Sequence, residues 1–151
     1  MMNEQTLGTV TMTQVGIIVQ DIEAKARAWA EVLGLPVPEI MITDTYERAQ
    51  TEYNGKPSYA RAKLAFFHLG QVDLELIEPV GKPSTWQDQL DEHGDSLHHI
   101  AFEIKGMSEK VACLEAKRLP LVQRGEYPGG RYAYINGNAQ LGAILELLEN
   151  D

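Results

Sequence analysis

The chain has 151 residues, 13 basic against 22 acidic side chains, a formal net charge of −9, and 44% hydrophobic residues. This length predicts a single domain over residues 1–151 that can bury a core unaided. The acidic balance excludes a binder that grips nucleic-acid phosphates. One cysteine, Cys113, excludes an internal disulfide and a cysteine-built zinc site. No apolar run approaches a membrane span, and no cationic-then-apolar leader opens the chain, so a cytoplasmic protein is expected.

Taken in chain order, the apolar run from Gln14 (QVGIIVQD) reads as a buried strand. It feeds a helix whose inner face is Ile22, Ala26 and Trp29, the i, i+4, i+7 spacing of an amphipathic helix. Leu35-Pro36 punctuates its end. Two strands follow, roughly 38–43 and 61–69, separated by a polar, unpatterned stretch (43–57) that contains Asn54-Gly55. A last strand carries Leu74-Glu75-Leu76-Ile77-Glu78. The stretch 84–93 (STWQDQLDEH) opens with a serine cap and reads as a linker helix, about 84–94.

The pattern then repeats. HIAFEIKGMSEKVACLEAKRLPLV, from His99, parallels QVGIIVQDIEAKARAWAEVLGLPV, from Gln14, with Met107, Val111 and Leu114 on the inner face of its helix and Leu119-Pro120 after it. Strands at 121–127 and 131–135 flank a Pro128-Gly129-Gly130 turn, and Leu145-Glu146-Leu147-Leu148-Glu149 closes the second half. Each half reads strand–helix–strand–strand–strand, module 1 over about 11–80 and module 2 over about 96–150. The expected class is α+β.

Equivalent positions are polar in both halves. Gln14 and His99 open the first strands, and Glu75 and Glu146 sit inside otherwise apolar last strands. Singly, each has an ordinary reading: a solvent-facing glutamate, a hydrogen-bonded histidine, an unremarkable amide. As a symmetric set they read as ligands. Two carboxylates would neutralise a divalent cation, and nitrogen and oxygen donors suit Zn, Ni, Co, Mn or Fe.

The strings LGQVDLELIEPVG (from Leu69), HGDSLHHIAFEIKGM (from His93) and GAILELLEN (from Gly142) resemble the vicinal oxygen chelate (glyoxalase/bleomycin resistance/dioxygenase) superfamily, most of all its methylmalonyl-CoA epimerase branch. The resemblance implies two βαβββ modules forming a cupped mixed sheet around one divalent metal, here Zn, Ni, Co or Mn. Carried over by position, the family's ligands fall on Gln14, Glu75, His99 and Glu146. Neighbouring strand residues face opposite ways, so His98 is expected outside the site. Epimerases carry histidine where this chain has Gln14. Glutamine there, with Glu, His and Glu, is similar to the ligand set of some glyoxalase I enzymes.

The implied chemistry is removal of a proton next to a carbonyl, with Glu146 as base and Glu75 as ligand and second base. An epimerase returns the proton to the same carbon, and a lactoylglutathione lyase to the adjacent one. The substrate is accordingly a thioester or a hemithioacetal. A third reading is a metal-free drug-binding resistance protein of the same fold; an extradiol dioxygenase would need two histidines and one carboxylate. The family's further carboxylate would fall on Glu47 or Glu52, in the unaligned stretch where both are expected to face solvent. A homodimer is implied by the resemblance alone.

Remaining features have local readings. Lys56, Arg61 and Lys63 form a basic patch, able to meet an anionic substrate or to protect a strand edge. Cys113 is expected to pack inside as a small hydrophobe, Trp29 to lie in the core and Trp86 to anchor the linker. Tyr132 and Tyr134 share a strand face and could line the pocket, with packing the expected role. His68 and His93 have no ligating partner, and 136–142 reads as a loop, either substrate-gating or a simple turn.

Overall fold

The repeat becomes a pseudo-twofold arrangement about one pair of strands. A computed structural model describes residues 5–151. The first half runs β1 (Met12–Ile18), α1 (Ile22–Leu33), β2 (Met41–Ile42), α2 (Tyr46–Ala49), β3 (Glu52–Tyr53), β4 (Lys56–Pro57), β5 (Arg61–His68) and β6 (Asp73–Val80). Helix α3 (Thr85–His93) leads to β7 (Ser96–Glu103), α4 (Met107–Ala116), β8 (Leu121–Tyr127), β9 (Gly130–Gly137), α5 (Asn138–Leu141) and β10 (Ala143–Asn150). All strands join one curled sheet in the order β2-β5-β6-β1-β7-β10-β9-β8-β3-β4. At its centre β1 runs antiparallel to β7, while β1 pairs with β6, and β7 with β10, in parallel. The α+β, two-module architecture expected from the repeat is the one observed.

Alternation along each strand separates two faces. Helix α1 starts at Asp21, whose Oδ1 accepts from the Ala24 N–H at 3.1 Å, and stops at Gly34 in the left-handed region. It lays Ile22, Ala26 and Ala30, with half-buried Trp29, against Phe67, Leu74 and Leu76. Helix α4 does the same with Leu114, Met107 and Val111 against Ala133, Ile135, Leu145 and Leu147. The opposite face carries a cluster shared by both halves, Ile18, Ala62, Ile77, Tyr134 and Ile144, with Trp86 from α3 packed on it. Helix α3 is capped as expected: Ser84 Oγ accepts from the Gln87 N–H at 3.0 Å.

Four local expectations are corrected. The strand at 38–43 shrinks to exposed Met41–Ile42 at the sheet edge, because Pro36 and Pro38 lack the N–H that pairing needs. The stretch 43–57 is patterned after all. It makes one helical turn and then a hairpin at Asn54-Gly55, both at positive φ, which is the backbone an Asn-Gly turn supplies. That hairpin crosses to the far half and extends its edge, Glu52 opposite Arg124 and Tyr53 opposite Gln123. Cys113 is exposed, because two residues after Val111 a helix has turned its side chain away from the core. Finally, 136–142 is not all loop: β9 runs on to Gly137, and α5 forms a single turn ended by Gly142 at positive φ. Among the described residues, no helix is long and apolar enough to cross a membrane.

Candidate metal centre

Four adjacent strands each bring one donor to the face opposite α1 and α4. These are Glu75 from β6, Gln14 from β1, His99 from β7 and Glu146 from β10, with relative exposures of 6%, 8%, 2% and 4%. His99 Nε2 lies 2.7 Å from Gln14 Oε1, 2.7 Å from Glu146 Oε2 and 3.4 Å from Glu75 Oε1. Ligand atoms of Glu75, His99 and Glu146 all fall within 4.8 Å of one another. All four residues singled out from the sequence meet at one point.

The cluster is electrostatically incomplete by itself. Burial, then the neighbouring charges of Glu146 and Asp73, push the Glu75 carboxyl well above the usual carboxylate range. With its carbonyl oxygen inward, Gln14 faces two carboxylates and His99 Nε2, which can donate to it only when that nitrogen carries the hydrogen. Turned about, the two hydrogens of its amide nitrogen would be shared among Glu75 Oε1 at 3.2 Å, His99 Nε2 at 2.7 Å and Glu146 Oε2 at 2.8 Å. Gln14 can therefore serve a cation through oxygen or quiet the empty cluster through nitrogen. Around a divalent ion bound at 2.0–2.2 Å, adjacent ligand atoms sit about 3 Å apart. The spacings here match, so the residues present could hold such an ion.

The glyoxalase/bleomycin resistance protein/dioxygenase superfamily model matches residues 13–135. The chain belongs to this superfamily. It is 30% identical over 141 residues, 91% of each chain, to the uncharacterized protein YqjC of Bacillus subtilis (strain 168). It is 24% identical over 109 residues to the mitochondrial methylmalonyl-CoA epimerase of Mus musculus, covering 72% of this chain and 53% of that relative. In fold it is similar to the crystal structure of methylmalonyl-CoA epimerase from Mycobacterium tuberculosis, at TM-score 0.61 and 18% identity, covering 100% of this chain and 93% of that one. A methylmalonyl-CoA epimerase in complex with methylmalonyl-CoA and NH4+ is similar at TM-score 0.62 and 20% identity, covering 93% and 94%.

Within this superfamily fold, sequence reasoning missed two residues and gave a third, Tyr134, only a packing role by preference. His98 was expected to face away, yet its Nδ1 lies 2.9 Å from His99 Nδ1. Gly16 pairs with His99 and Ile17 with Leu97, so His98 is the extra residue of a β-bulge that turns both rings to one face. Burial, reinforced by His99, holds the His98 imidazole well below its ordinary pKa. Gly16 is the second: a methyl group there would come within 2.5–2.6 Å of both ring nitrogens of His99, so only a hydrogen leaves room for the ring. Third, Tyr134 packs 5.2 Å from the His99 ring and accepts from Trp86 Nε1 at 3.0 Å. It and half-buried Tyr132 both lie on the site face. The adjacent His-His pair and the lone strand glycine were the available signals.

Other candidates are exposed or already paired. Glu47 is exposed on α2. Glu52 pairs with Arg124 at 3.6 Å, and because buried Gln123 reaches Thr85 and Tyr132 on the site face, Arg124 and Glu52 face the other way. Lys63 pairs with Glu78 at 3.4 Å, and Arg61 Nε donates to the Thr43 carbonyl at 2.9 Å, so the fold already uses two cations of the basic patch. His68 pairs with Asp73, and His93 lies near Glu92. Two surface grooves, of 450 and 690 Å³, lie beside the second core and contain none of the four donors.

Two outcomes follow from this geometry. The raised Glu75 pKa means that the metal-free fold binds a proton its unfolded chain releases, so its stability falls as pH rises from about 4.5 through the folded value. Glu75→Gln should remove that slope and raise the melting temperature of chelator-treated protein at pH 8 by about 2–8 °C. Thermal melts from pH 5 to 8 measure both effects; an unchanged slope contradicts the assignment. Gly16→Ala should displace the His99 ring and cost about 1–3 kcal/mol in urea unfolding. It should also weaken Zn or Co binding at least about tenfold in a chelator competition.

Proposed function

We propose that this protein is a metal-dependent enzyme that moves a proton at the carbon next to a thioester carbonyl, in the manner of a methylmalonyl-CoA epimerase. The observation that carries the reading is the convergence of two buried carboxylates, an imidazole nitrogen and an amide oxygen on one point. Gln14, Glu75, His99 and Glu146 would hold one Zn, Ni, Co or Mn ion. When bound, such an ion supplies electrophilic stabilisation of the negative charge that builds on the substrate oxygen, worth several kcal/mol in metal enzymes.

The chain's own residues do the rest. Glu146 accepts the proton from the substrate carbon as general base. Glu75 serves as ligand and second base, passing a proton from solvent to the other face of the planar intermediate while Glu146 releases the one it took. The two glutamates occupy equivalent strands of the two halves, a placement suited to chemistry on both faces of one carbon. Trp86 and Tyr134 wall the site face, which limits water and strengthens the charge interactions inside. Epimerase likeness in sequence and fold supports a CoA thioester as substrate. Assembly as a homodimer belongs to the same reading and rests on resemblance; a cytoplasmic location rests on the composition of the chain.

Gln14 favours one second reading. An amide at this position, completing a Gln-Glu-His-Glu set, supports a glyoxalase I-like lactoylglutathione lyase, which moves the proton to the adjacent carbon. The metal-free binder is disfavoured, since four acceptors crowded together would have no purpose in it.

Chelator-treated protein reloaded with each metal should catalyse solvent deuterium exchange at the α-carbon of methylmalonyl-CoA, followed by NMR. Glu146→Gln should slow exchange at least about 100-fold. Turnover of the methylglyoxal–glutathione hemithioacetal alone would move the assignment to the lyase. Metal uptake with turnover of neither substrate would overturn both activities.

A further inference from the structure

We propose that His98 and Thr85 are positioning residues for the metal centre, forming a hydrogen-bond relay that presents the Nε2 lone pair of His99 to the ion. This rests on the metal-centre reading above. His98 Nδ1 lies 2.9 Å from His99 Nδ1, and His98 Nε2 lies 3.2 Å from Thr85 Oγ1. All three residues are buried, with relative exposures of 3%, 2% and 6%.

Two ring nitrogens at this distance share one hydrogen, so the direction of one bond decides what the remaining nitrogens carry. When His99 Nδ1–H donates to His98 Nδ1, His99 Nε2 is left with its lone pair aimed at the oxygen donors. His98 then carries its hydrogen on Nε2 and donates to Thr85 Oγ1. In the reverse direction the Thr85 hydroxyl donates to His98 Nε2, and His98 Nδ1–H donates to His99 Nδ1. His99 Nε2–H then points at Gln14 Oε1 and Glu146 Oε2, each 2.7 Å away. The first direction suits the loaded centre, and the second the metal-free one with the Gln14 oxygen inward, as the structure has it. A hydroxyl both donates and accepts, so Thr85 can end the relay in either state; a purely accepting or purely donating side chain could not.

The surroundings hold the relay in place. The bulge in β7 aims both imidazoles at one face, their planes crossing at 88°. Tyr134 packs edge-on against His98, with ring centroids 5.0 Å apart. Thr85 is the first residue of α3, where the Ser84 cap fixes the turn and the Thr85 N–H donates to Gln123 Oε1 at 2.8 Å. The helix joining the two halves is thereby tied to a ligand of the centre. Partners of this kind fix a ligand's tautomer and orientation, and their loss weakens metal binding about 10–100-fold.

The test compares wild type with Thr85→Val, which keeps the shape and removes the hydroxyl, with Thr85→Ser, and with His98→Phe. Zn affinity is measured by chelator competition. Long-range proton–nitrogen NMR of the histidine rings reports which nitrogen of His99 bears hydrogen before and after Zn addition. Thr85→Val should lose about 10–100-fold in Zn affinity while its chelator-treated form melts as a folded protein. Thr85→Ser should recover most of the loss, and wild-type His99 should pass from an Nε2–H to an Nδ1–H pattern on loading. If Thr85→Val binds Zn as wild type does, or if the His99 pattern does not change on loading, the relay is overturned and the metal centre stands. A wild-type protein that takes up no Zn, Ni, Co or Mn overturns both.

Discussion

Like-signed polar atoms crowded into a nearly dry space are the constraint on which this molecule turns. Two carboxylates, one imidazole nitrogen and one amide oxygen approach one another in the middle of the sheet, and no Lys or Arg among the described residues pairs with Glu75 or Glu146. A buried charge without a partner is costly, and burial pushes Glu75 towards its protonated form, a substitute for positive charge. A divalent ion would satisfy the same donors together, which is why the cluster reads as a candidate binding site under tension rather than as a packed polar core.

The rest of the fold serves to hold that tension in place. Two separate apolar cores, one under each long helix, stiffen the flanking strands. Parallel pairing of β1 with β6, and of β7 with β10, sets one donor strand from each half beside the central antiparallel pair. The symmetry is deliberately imperfect. Where β7 carries His99, β1 opposes it with Gly16, since two side chains could not occupy one space. Each half has a bulge just before its donor, at Thr13 and at His98, but only the second places an imidazole there, hydrogen-bonded to Thr85 of α3.

Much of this could be read from the letters. The duplicated pattern required equivalent strands, and equivalent strands made the polar residues at 14, 75, 99 and 146 stand out against apolar neighbours. The features that stayed hidden depend on contacts between distant segments. His98 looked misdirected because alternation holds only until a bulge interrupts it, and a bulge is a property of the pairing of β7 with β1. Strands of two residues, such as Glu52–Tyr53, are too short to show a period, although Asn54-Gly55 marked their turn. Cys113 was misplaced by a small rotation around α4, and the edge strand near residue 40 was cut short by two prolines. The superfamily is established by the match over residues 13–135; within it, the presence of Gln14 keeps the epimerase and lyase chemistries in contention.

The most direct test is anomalous X-ray scattering from crystals of the purified chain grown with Zn. The account predicts a single ion per chain at about 2.0–2.2 Å from Glu75, His99 and Glu146 and from the Gln14 oxygen, with the amide turned oxygen-inward. A fully occupied zinc elsewhere, with no density among these four side chains, would contradict it.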